Sequence, residues 1–539
     1  MELTLSGKFR RKGCEHAIGT IEIDMEIPDF EEFEGPDNFR LVFNELEQAI
    51  LVNRNELGRL VAEEYLKKMT RNRVDARMEG QEGVMVKENP SPYKIEAELG
   101  RLNVSTYRAE KDNHTICDSK SDILPRIGSR EAFHSACYEW LQSRLSTKND
   151  YRTTVETINH IRWQDEEQDT VKLRTLADSV VRNGTELIDH ISKITEDILE
   201  KNNFDTATGR PINPIEIGSE PPENKSIPRS EVARVISEYN DKNAHRGSDF
   251  LIDEHCADEA FENPSECVNV SIDDVGVVEQ KPTGREKNSK PKESTHYVKN
   301  TVAHIQHNDG RYIVTGVGIR HVLSIVVAFM LHNALFWLTP MVFFVDGADD
   351  LKDSIIHIFG WLRITIVLDW YHLTKKCRYR LSMALKGKKV VNEVIKKLFP
   401  LLWHGKVEAA IEYLKSLDDT KVRNFKEIEL LIAYFERNRA DIKCYALRRL
   451  LGLRVLSNLG EKGNDMVVAQ RQKHKGMSWS QAGSPALANL RALFVNNEAY
   501  SWTVRRELNF RLIPASKYKN SHPKHLYSVD NALHDKLSA

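Results

Sequence analysis

Two apolar runs in this chain each stop on a carboxylate. Phe343-Phe344-Val345 leads into Asp346-Gly347-Ala348, and Ile366-Val367-Leu368 leads into Asp369-Trp370-Tyr371-His372. Each run reads as a buried β-strand, and a buried strand that ends on an aspartate sets that charge on the rim of its sheet. Two neighbouring strands ending this way make a carboxylate pair on rigid support. Hard divalent cations bind such pairs, so the pattern points toward metal-dependent phosphoryl-transfer chemistry.

The chain has 539 residues, enough for two to four domains. A hydrophobic share of 40% supplies real cores, and a net charge of -2 means that any basic surface is local rather than global. The 7 cysteines are scattered and form no Cys-x-x-Cys pair, which predicts a reducing compartment and neither a zinc ribbon nor a disulfide frame. No apolar signal segment is expected at the N-terminus, where the chain reads Met1-Glu2-Leu3-Thr4. Val322 to Val345 carries no Asp, Glu, Lys or Arg, but His332, Asn333 and Pro340 interrupt it. It predicts a buried helix ending near Leu338 and a buried strand from Met341 rather than a membrane span.

Residues 40–72 predict a long amphipathic helix with Phe43, Leu46, Ile50, Leu57 and Val61 on one face. Tyr93 to Glu110 alternates around Ile95, Leu99, Leu102, Val104 and Tyr107, which predicts a short hairpin. Residues 130–202 read as helical. Within them, Val171 to Leu199 reads as helix, an Arg182-Asn183-Gly184-Thr185 turn, and a second helix. That pattern fits a helix-turn-helix DNA reader or an ordinary helical hairpin, and Glu186, Asp189, Glu196 and Asp197 weigh against the DNA reader. Prolines among polar residues over 205–230 predict a linker, and the acidic stretch from Asp249 to Glu266 predicts a solvated segment.

A β-rich block follows. Val268 to Val277 alternates at period two, and Tyr297–Gln306 and Arg311–Val317 flank an Asn308-Asp309-Gly310 turn. Then come the buried helix, the strand into Asp346, a helix over Leu351–Phe359 and the strand into Asp369. Three strands, helix, strand, helix, strand is the order of a ribonuclease H-like α/β core. From Tyr371 to about Arg454 the chain reads as helical throughout, and a last helix runs from about Gly460 to Lys475. The expected fold is thus an α/β ribonuclease H-like core interrupted by an all-helical insertion, with a mostly helical N-terminal region. The expected segments are 1–204, N-terminal; 205–266, linker; 267–372, first part of the core; 373–455, insertion; 456–500, final core helices; and 501–539, a basic tail.

In such a sheet the first and fourth strands are neighbours. Asp273, or its neighbour Asp274, then comes near Asp346, and Glu461 on a later helix can join them; strand alternation favours Asp273. Singly, an Asp after a strand is more often a turn or helix cap. Together, three carboxylates would hold two Mg²⁺ ions, with Mn²⁺ expected to substitute.

Val-Asp-Gly-Ala at 345–348, Leu-Asp-Trp-Tyr-His at 368–372 and the run from Asn464 through Gly476-Met477-Ser478-Trp479-Ser480 resemble prokaryotic insertion-sequence transposases of the Mutator-like group. Those enzymes use a DDE triad with a helical insertion before the Glu, and an Asp/Cys-x-x-His signature follows their second catalytic Asp. The resemblance implies catalytic, metal-binding roles for Asp273, Asp346 and Glu461. It matches the signature to Asp369 and His372, so that Asp369 is not a triad member. His372 would orient DNA or a carboxylate, or pack beside Trp370. The likeness covers roughly residues 265–500. It departs before Glu461, where Leu456-Ser457-Asn458-Leu459-Gly460 stands in place of the family's usual Gly-Ser-Gly.

Lys375, Lys376, Arg378, Arg380, Lys388 and Lys389 belong to a basic run directly after the second Asp strand, and Arg471, Lys473 and Lys475 follow Glu461. A charge run is usually a solvated helix face; beside a catalytic sheet it reads as a DNA path. The resemblance implies metal-dependent strand cleavage and transfer at the ends of an insertion sequence. The partners would be double-stranded element ends and target, with no membrane, by a homo-oligomer in a prokaryotic cytoplasm, nucleoid-associated when bound. The alternatives are a transposase-derived DNA-binding protein without catalysis, or a stand-alone ribonuclease H-like nuclease.

Overall fold

The computed structural model describes residues 2–10, 17–26, 39–119, 133–162, 170–213, 225–280, 297–337, 339–456, 463–473 and 476–514. The chain is mixed α/β and divides into two compact units. One is Met1–Val180 with Trp502–Arg506; the other is Val181–Ser501 with Glu507–Ala539. Among the described residues, no helix is long and apolar enough to cross a membrane.

The first unit is built on α1 (Phe39–Met78), a 40-residue helix. Strands β1 (Glu2–Arg10) and β2 (Ala17–Glu26) pair as an antiparallel ribbon. Two three-stranded sheets complete the strands: β3 (Met85–Glu88) with β6 (Tyr107–Lys111) and β7 (His114–Asp118), and β5 (Gly100–Val104) with β4 (Tyr93–Ala97) and β8 (Phe133–His134). Helices α2 (Ala136–Ser146) and α3 (Tyr151–Arg162) follow. The expected hairpin is therefore only β4 and β5; Tyr107 starts a strand of the other sheet. The expectation of a mostly helical region missed β1 and β2, and also β3, β6 and β7, which at four or five residues are too short to show many alternations. The apolar face predicted for α1 is also corrected: Phe43, Ile50 and Val61 are exposed, and Ala62 and Leu66 meet Tyr93, Ile95, Leu102 and Val104 instead. Sheet docking selects a face rotated from the one with the largest side chains.

The boundary between units falls inside α4 (Leu173–Lys201), which is one continuous helix. The turn expected at Arg182–Thr185 does not form, so no helix-turn-helix exists there. Thr185 Oγ1 donates to the Val181 carbonyl at 2.8 Å, as in an unbroken helix. A Cβ on Gly184 would lie 2.6 Å from the Ala486 side chain. Gly184 is a close-packing point within the second unit, not a turn residue.

The second unit holds a six-stranded sheet in the order β13-β12-β9-β10-β11-β14. Strands β9 (Val268–Val278), β10 (Tyr297–His307) and β11 (Gly310–Gly316) are antiparallel. The β10–β11 turn carries Asn308 at φ 51°, a left-handed conformation that asparagine tolerates. Strand β12 (Met341–Val345) runs parallel to β9, and β13 (Ile364–Leu368) parallel to β12. Strand β14 (Ile513–Pro514) closes the edge on β11, so part of the expected C-terminal tail belongs to this sheet, and Phe510 is buried in its core.

The two-residue period of β12 sorts its side chains between two cores. Met341, Phe343 and Val345 face the core shared with α6 (Ile319–His332) and α7 (Asp349–Phe359). Val342 and Phe344 face the core shared with α8 (Trp370–Ala384), α9 (Lys388–Trp403), α10 (Val407–Lys415) and α11 (Phe425–Arg437). Helix α6 stops at His332, earlier than the expected Leu338, where Asn333 Nδ2 caps the Phe329 carbonyl at 2.8 Å and Ala334 turns left-handed at φ 56°.

Among the described residues of the segment expected as linker and solvated acid, part is packed. Helix α5 (Arg229–Asn243) lies within it, before α6 in the chain. Its Val232 and Ile236, with Ile252 and Phe261, share a core with Leu447 of α12 (Tyr445–Leu450) and with Leu451. Glu262 is buried and accepts from Arg448 Nη2 at 2.5 Å. Of the acids in 249–266, Glu254, Asp258 and Glu259 are exposed as expected, whereas Glu262 and Asp253 pair with cations far along the chain, Arg448 and Lys406.

Candidate active site

Strand register brings the first two carboxylates level. Phe344 of β12 pairs with Ser271 of β9 in parallel register, and Asp346 and Asp273 each lie two residues further on. Asp273 falls on the same face of β9 as Ser271, opposite Val270 and Ile272. Asp274 faces the other way and accepts from Thr301 Oγ1 at 2.6 Å. The alternation that favoured Asp273 over Asp274 thus has a counterpart in the sheet: only Asp273 faces the side toward which Phe344 points.

Asp273 is half-buried. Its Oδ1 accepts from the Asp274 amide at 2.8 Å, and its Oδ2 accepts from Asn464 Nδ2 at 2.8 Å. Burial pushes its carboxyl up to about 6; the nearby Asp346 charge adds to the rise and His372 opposes it. Asp273, Asp346 and His372 therefore share one electrostatic neighbourhood.

The turn after β12 fixes Asp346. Its Oδ1 accepts from the Ala348 amide at 2.9 Å, a local Asx turn, and the Tyr434 hydroxyl donates to its backbone carbonyl at 3.3 Å. Gly347 sits at φ 84°, and a Cβ there would lie 2.6 Å from Tyr434 Oη and 3.0 Å from Leu368 Cδ1. Only glycine satisfies both the backbone and the space. The Asp-Gly dipeptide is thus a joint between the sheet and α11.

Asp369 plays a different part. It is 1% exposed, and its amide donates to the Val345 carbonyl at 2.9 Å. Its Oδ1 accepts from the Tyr371 and His372 amides at 2.7 and 3.1 Å, so it is the N-cap of α8. That cap holds His372 in the first turn of the helix. Trp370 packs against Phe399, Trp403 and Tyr445. His372 instead meets the Tyr371 ring edge-on at 5.4 Å.

Glu461 lies outside the described residues. Asn464, three residues later, is 9% exposed and reaches Asp273 from the start of a π-helical turn, Asp465–Ala469. Such π turns often occur at functional sites. Sequence reasoning missed Asn464, which stands at the head of the quoted motif without a titratable group to mark it. The segment after it is tied to the sheet by a buried relay: Asn300 Nδ2 donates to Ser484 Oγ at 2.7 Å, and Ser484 Oγ to Gln472 Oε1 at 2.6 Å.

The basic residues divide. Lys375, Arg378, Lys388, Lys389 and Lys473 are exposed, and Lys376 lies with its Nζ 5.5 Å from the Tyr434 ring centre. Arg380 is engaged with Glu427 at 2.7 Å. Arg471 corrects the expectation of a DNA-facing base: it is 3% exposed, its guanidinium over the Trp479 ring at 5.0 Å and donating to Met477 Sδ. Lys475 lies outside the described residues.

Among the described residues, no group of three or more His, Cys, Asp and Glu side chains is arranged to hold a metal ion. Asp273 and Asp346 supply two hard oxygen donors whose mutual repulsion a cation would relieve. The chain matches no protein-family model and no curated protein.

Proposed function

We propose that this chain is a DDE transposase that cleaves and joins DNA strands at the ends of an insertion sequence. The observation that carries this reading is the Asp273–Asp346 pair, level on adjacent parallel strands. The sheet order β13-β12-β9-β10-β11, with antiparallel first strands and parallel later ones, supports a ribonuclease H-like core. The helices from Trp370 to Leu450 correspond to the insertion before the Glu.

Asp273 and Asp346, with Glu461 as the third carboxylate, would hold Mg²⁺ or Mn²⁺. The metal would sharpen a water or DNA 3′-hydroxyl as nucleophile and stabilise the departing oxygen. The protein's own contribution is position: Asn464 fixes one oxygen of Asp273, the Asx turn fixes Asp346, and the Asp369 cap fixes the backbone of His372. Exposed Lys375, Lys388 and Lys389 would bind phosphates without choosing sequence. Double-stranded ends and target as substrates, and a homo-oligomer on DNA, belong to the same proposal.

The test is Mg²⁺- or Mn²⁺-dependent nicking of DNA carrying the element's ends, wild type beside Asp346→Ala. Nicking by wild type and none by the variant, with DNA binding retained by both, supports the enzyme. DNA binding without nicking by wild type supports a second reading, a transposase-derived DNA-binding protein, which the altered loop before Glu461 favours.

A further inference from the structure

Helix α8 leaves the site with an unusual outer face. Its inner face buries Leu373, Cys377, Leu381 and Ala384. On the outer side, Tyr371, Lys375, Arg378, Tyr379 and Ser382 follow helical spacings of three and four, which stack them in one stripe. Tyr371 is 45% exposed and Tyr379 58% exposed. Two large aromatic rings left in water on one helix face ask for a partner. Cations stand among them: Lys375 Nζ lies 5.5 Å from the Tyr371 ring centre, and Arg378, exposed beside Tyr379, has its guanidinium 5.1 Å from the Phe399 ring centre. From Trp370 to Lys389 the sequence holds seven Lys and Arg and no Asp or Glu. The stripe begins at Tyr371, whose amide shares the Asp369 cap with His372.

Duplex DNA presents phosphates to a protein and hides the faces of its bases, so a duplex path needs cations but no exposed aromatics. An unpaired strand presents both. Alternating aromatic rings and cations on one ridge are the surface that binds it. Tyr371 and Tyr379 are eight residues apart, about 12 Å along the helix, a span suited to neighbouring unstacked bases.

We propose that the outer face of α8 is a stacking surface for an unpaired DNA strand, guiding single-stranded DNA to or from the Asp273–Asp346 pair. This deepens the transposase reading and rests on it for the identity of the strand: the segment freed at a cut end. Tyr371 and Tyr379 are strand-positioning residues, and Lys375 and Arg378 neutralise the backbone between them.

The experiment measures full-length protein against a fluorescent twenty-nucleotide thymidine strand and a twenty-base-pair duplex, without metal. The expected result is that Tyr371→Ala and Tyr379→Ala each weaken single-strand binding roughly five- to a hundredfold with much smaller loss on duplex. Phenylalanine at either position should keep wild-type affinity. Tyr379→Leu, which preserves apolar bulk but not the aromatic face, should behave as the alanine variant does, so the loss is not one of folding. Lys375→Ala should weaken both substrates and flatten their salt dependence. Unchanged single-strand affinity in both tyrosine variants, or equal loss on duplex and single strand, overturns the proposal. Nicking assayed on the same preparations separates the two readings. Single-strand preference without nicking by wild type removes the transposase function but not the surface, whereas nicking without tyrosine dependence removes the surface alone.

Discussion

The side-chain amide of Asn464 donates to Oδ2 of Asp273 across 2.8 Å, joining the segment after Glu461 to the central strand. Asn464 is nearly buried, so the bond is sheltered and orients the carboxylate. Asn464→Ala should cost about 1 kcal/mol of stability, the ordinary net value of one hydrogen bond. If Asp273 holds metal, the same change should weaken divalent-ion affinity about 10- to 100-fold, as loss of an outer hydrogen bond does at metal sites. Mg²⁺ titrations monitored by thermal shift, beside chemical denaturation, check both; affinity equal to wild type would remove Asn464 from the site.

Asp273 also sets a pH dependence. Its carboxyl is pushed up from the ordinary 3.8 to about 6 by burial first and by Asp346 second. The folded protein therefore binds this proton more tightly than the unfolded chain. Its contribution to stability is fully present below pH about 4 and is lost as pH rises through about 6. Asp273→Asn should be more stable than wild type above pH 6, and the gap should narrow toward pH 4. Denaturation midpoints of the two proteins between pH 5 and 8 read this directly. Mg²⁺ should raise the wild-type midpoint at pH 8 more than at pH 5, and should do little for the Asn variant. A gap independent of pH would show that ionisation of Asp273 is not the cause.

What the sequence revealed, and what it concealed, follows the range of the interactions. Strands β9, β12 and β13 are continuous or alternating apolar runs, so periodicity alone located them and the aspartates at Asp346 and Asp369. Distinguishing Asp273 from Asp274 needed only the pleat. Asn464 was hidden because its meaning is a contact 191 residues away. Arg471 looked like one more base in a basic run, and only Trp479 folding over it shows otherwise. Glu262 looked solvated like its exposed neighbours Glu254, Asp258 and Glu259 because a one-dimensional charge pattern does not include Arg448. Glu262→Ala should therefore cost about 3–5 kcal/mol by stranding the buried Arg448 charge, where a solvated acid would cost nearly nothing. A large fall in the denaturation midpoint, eased in Glu262→Ala with Arg448→Met, is the expected result.

Gly347 carries the turn that presents Asp346. Its φ of 84° disfavours any side chain, and Tyr434 Oη occupies the space a methyl would need, 2.6 Å away. Gly347→Ala should destabilise by about 1–3 kcal/mol through backbone strain, with a further steric part. Adding Tyr434→Ala should relieve the steric part and leave the strain. Thermal melts of the two variants separate these. Full rescue by the second change would mean that the backbone there is not strained.

Gly184 tests the correction to the helix-turn-helix expectation. In a turn, alanine at this position would have room. In the continuous α4, its methyl would lie 2.6 Å from both the Cβ and the carbonyl oxygen of Ala486, the latter being backbone that yields little. Overpacking of this kind costs about 1–3 kcal/mol, partly offset by the better helix propensity of alanine over glycine, up to about 1 kcal/mol. Gly184→Ala should therefore be neutral to clearly destabilising, and Ala486→Gly should recover only the side-chain share of the clash. The decisive comparison is Gly184→Leu, which a solvent-facing turn would accept and this packed contact would not. A denaturation midpoint unchanged by leucine would restore the turn and with it the two-helix reading of Val171 to Leu199.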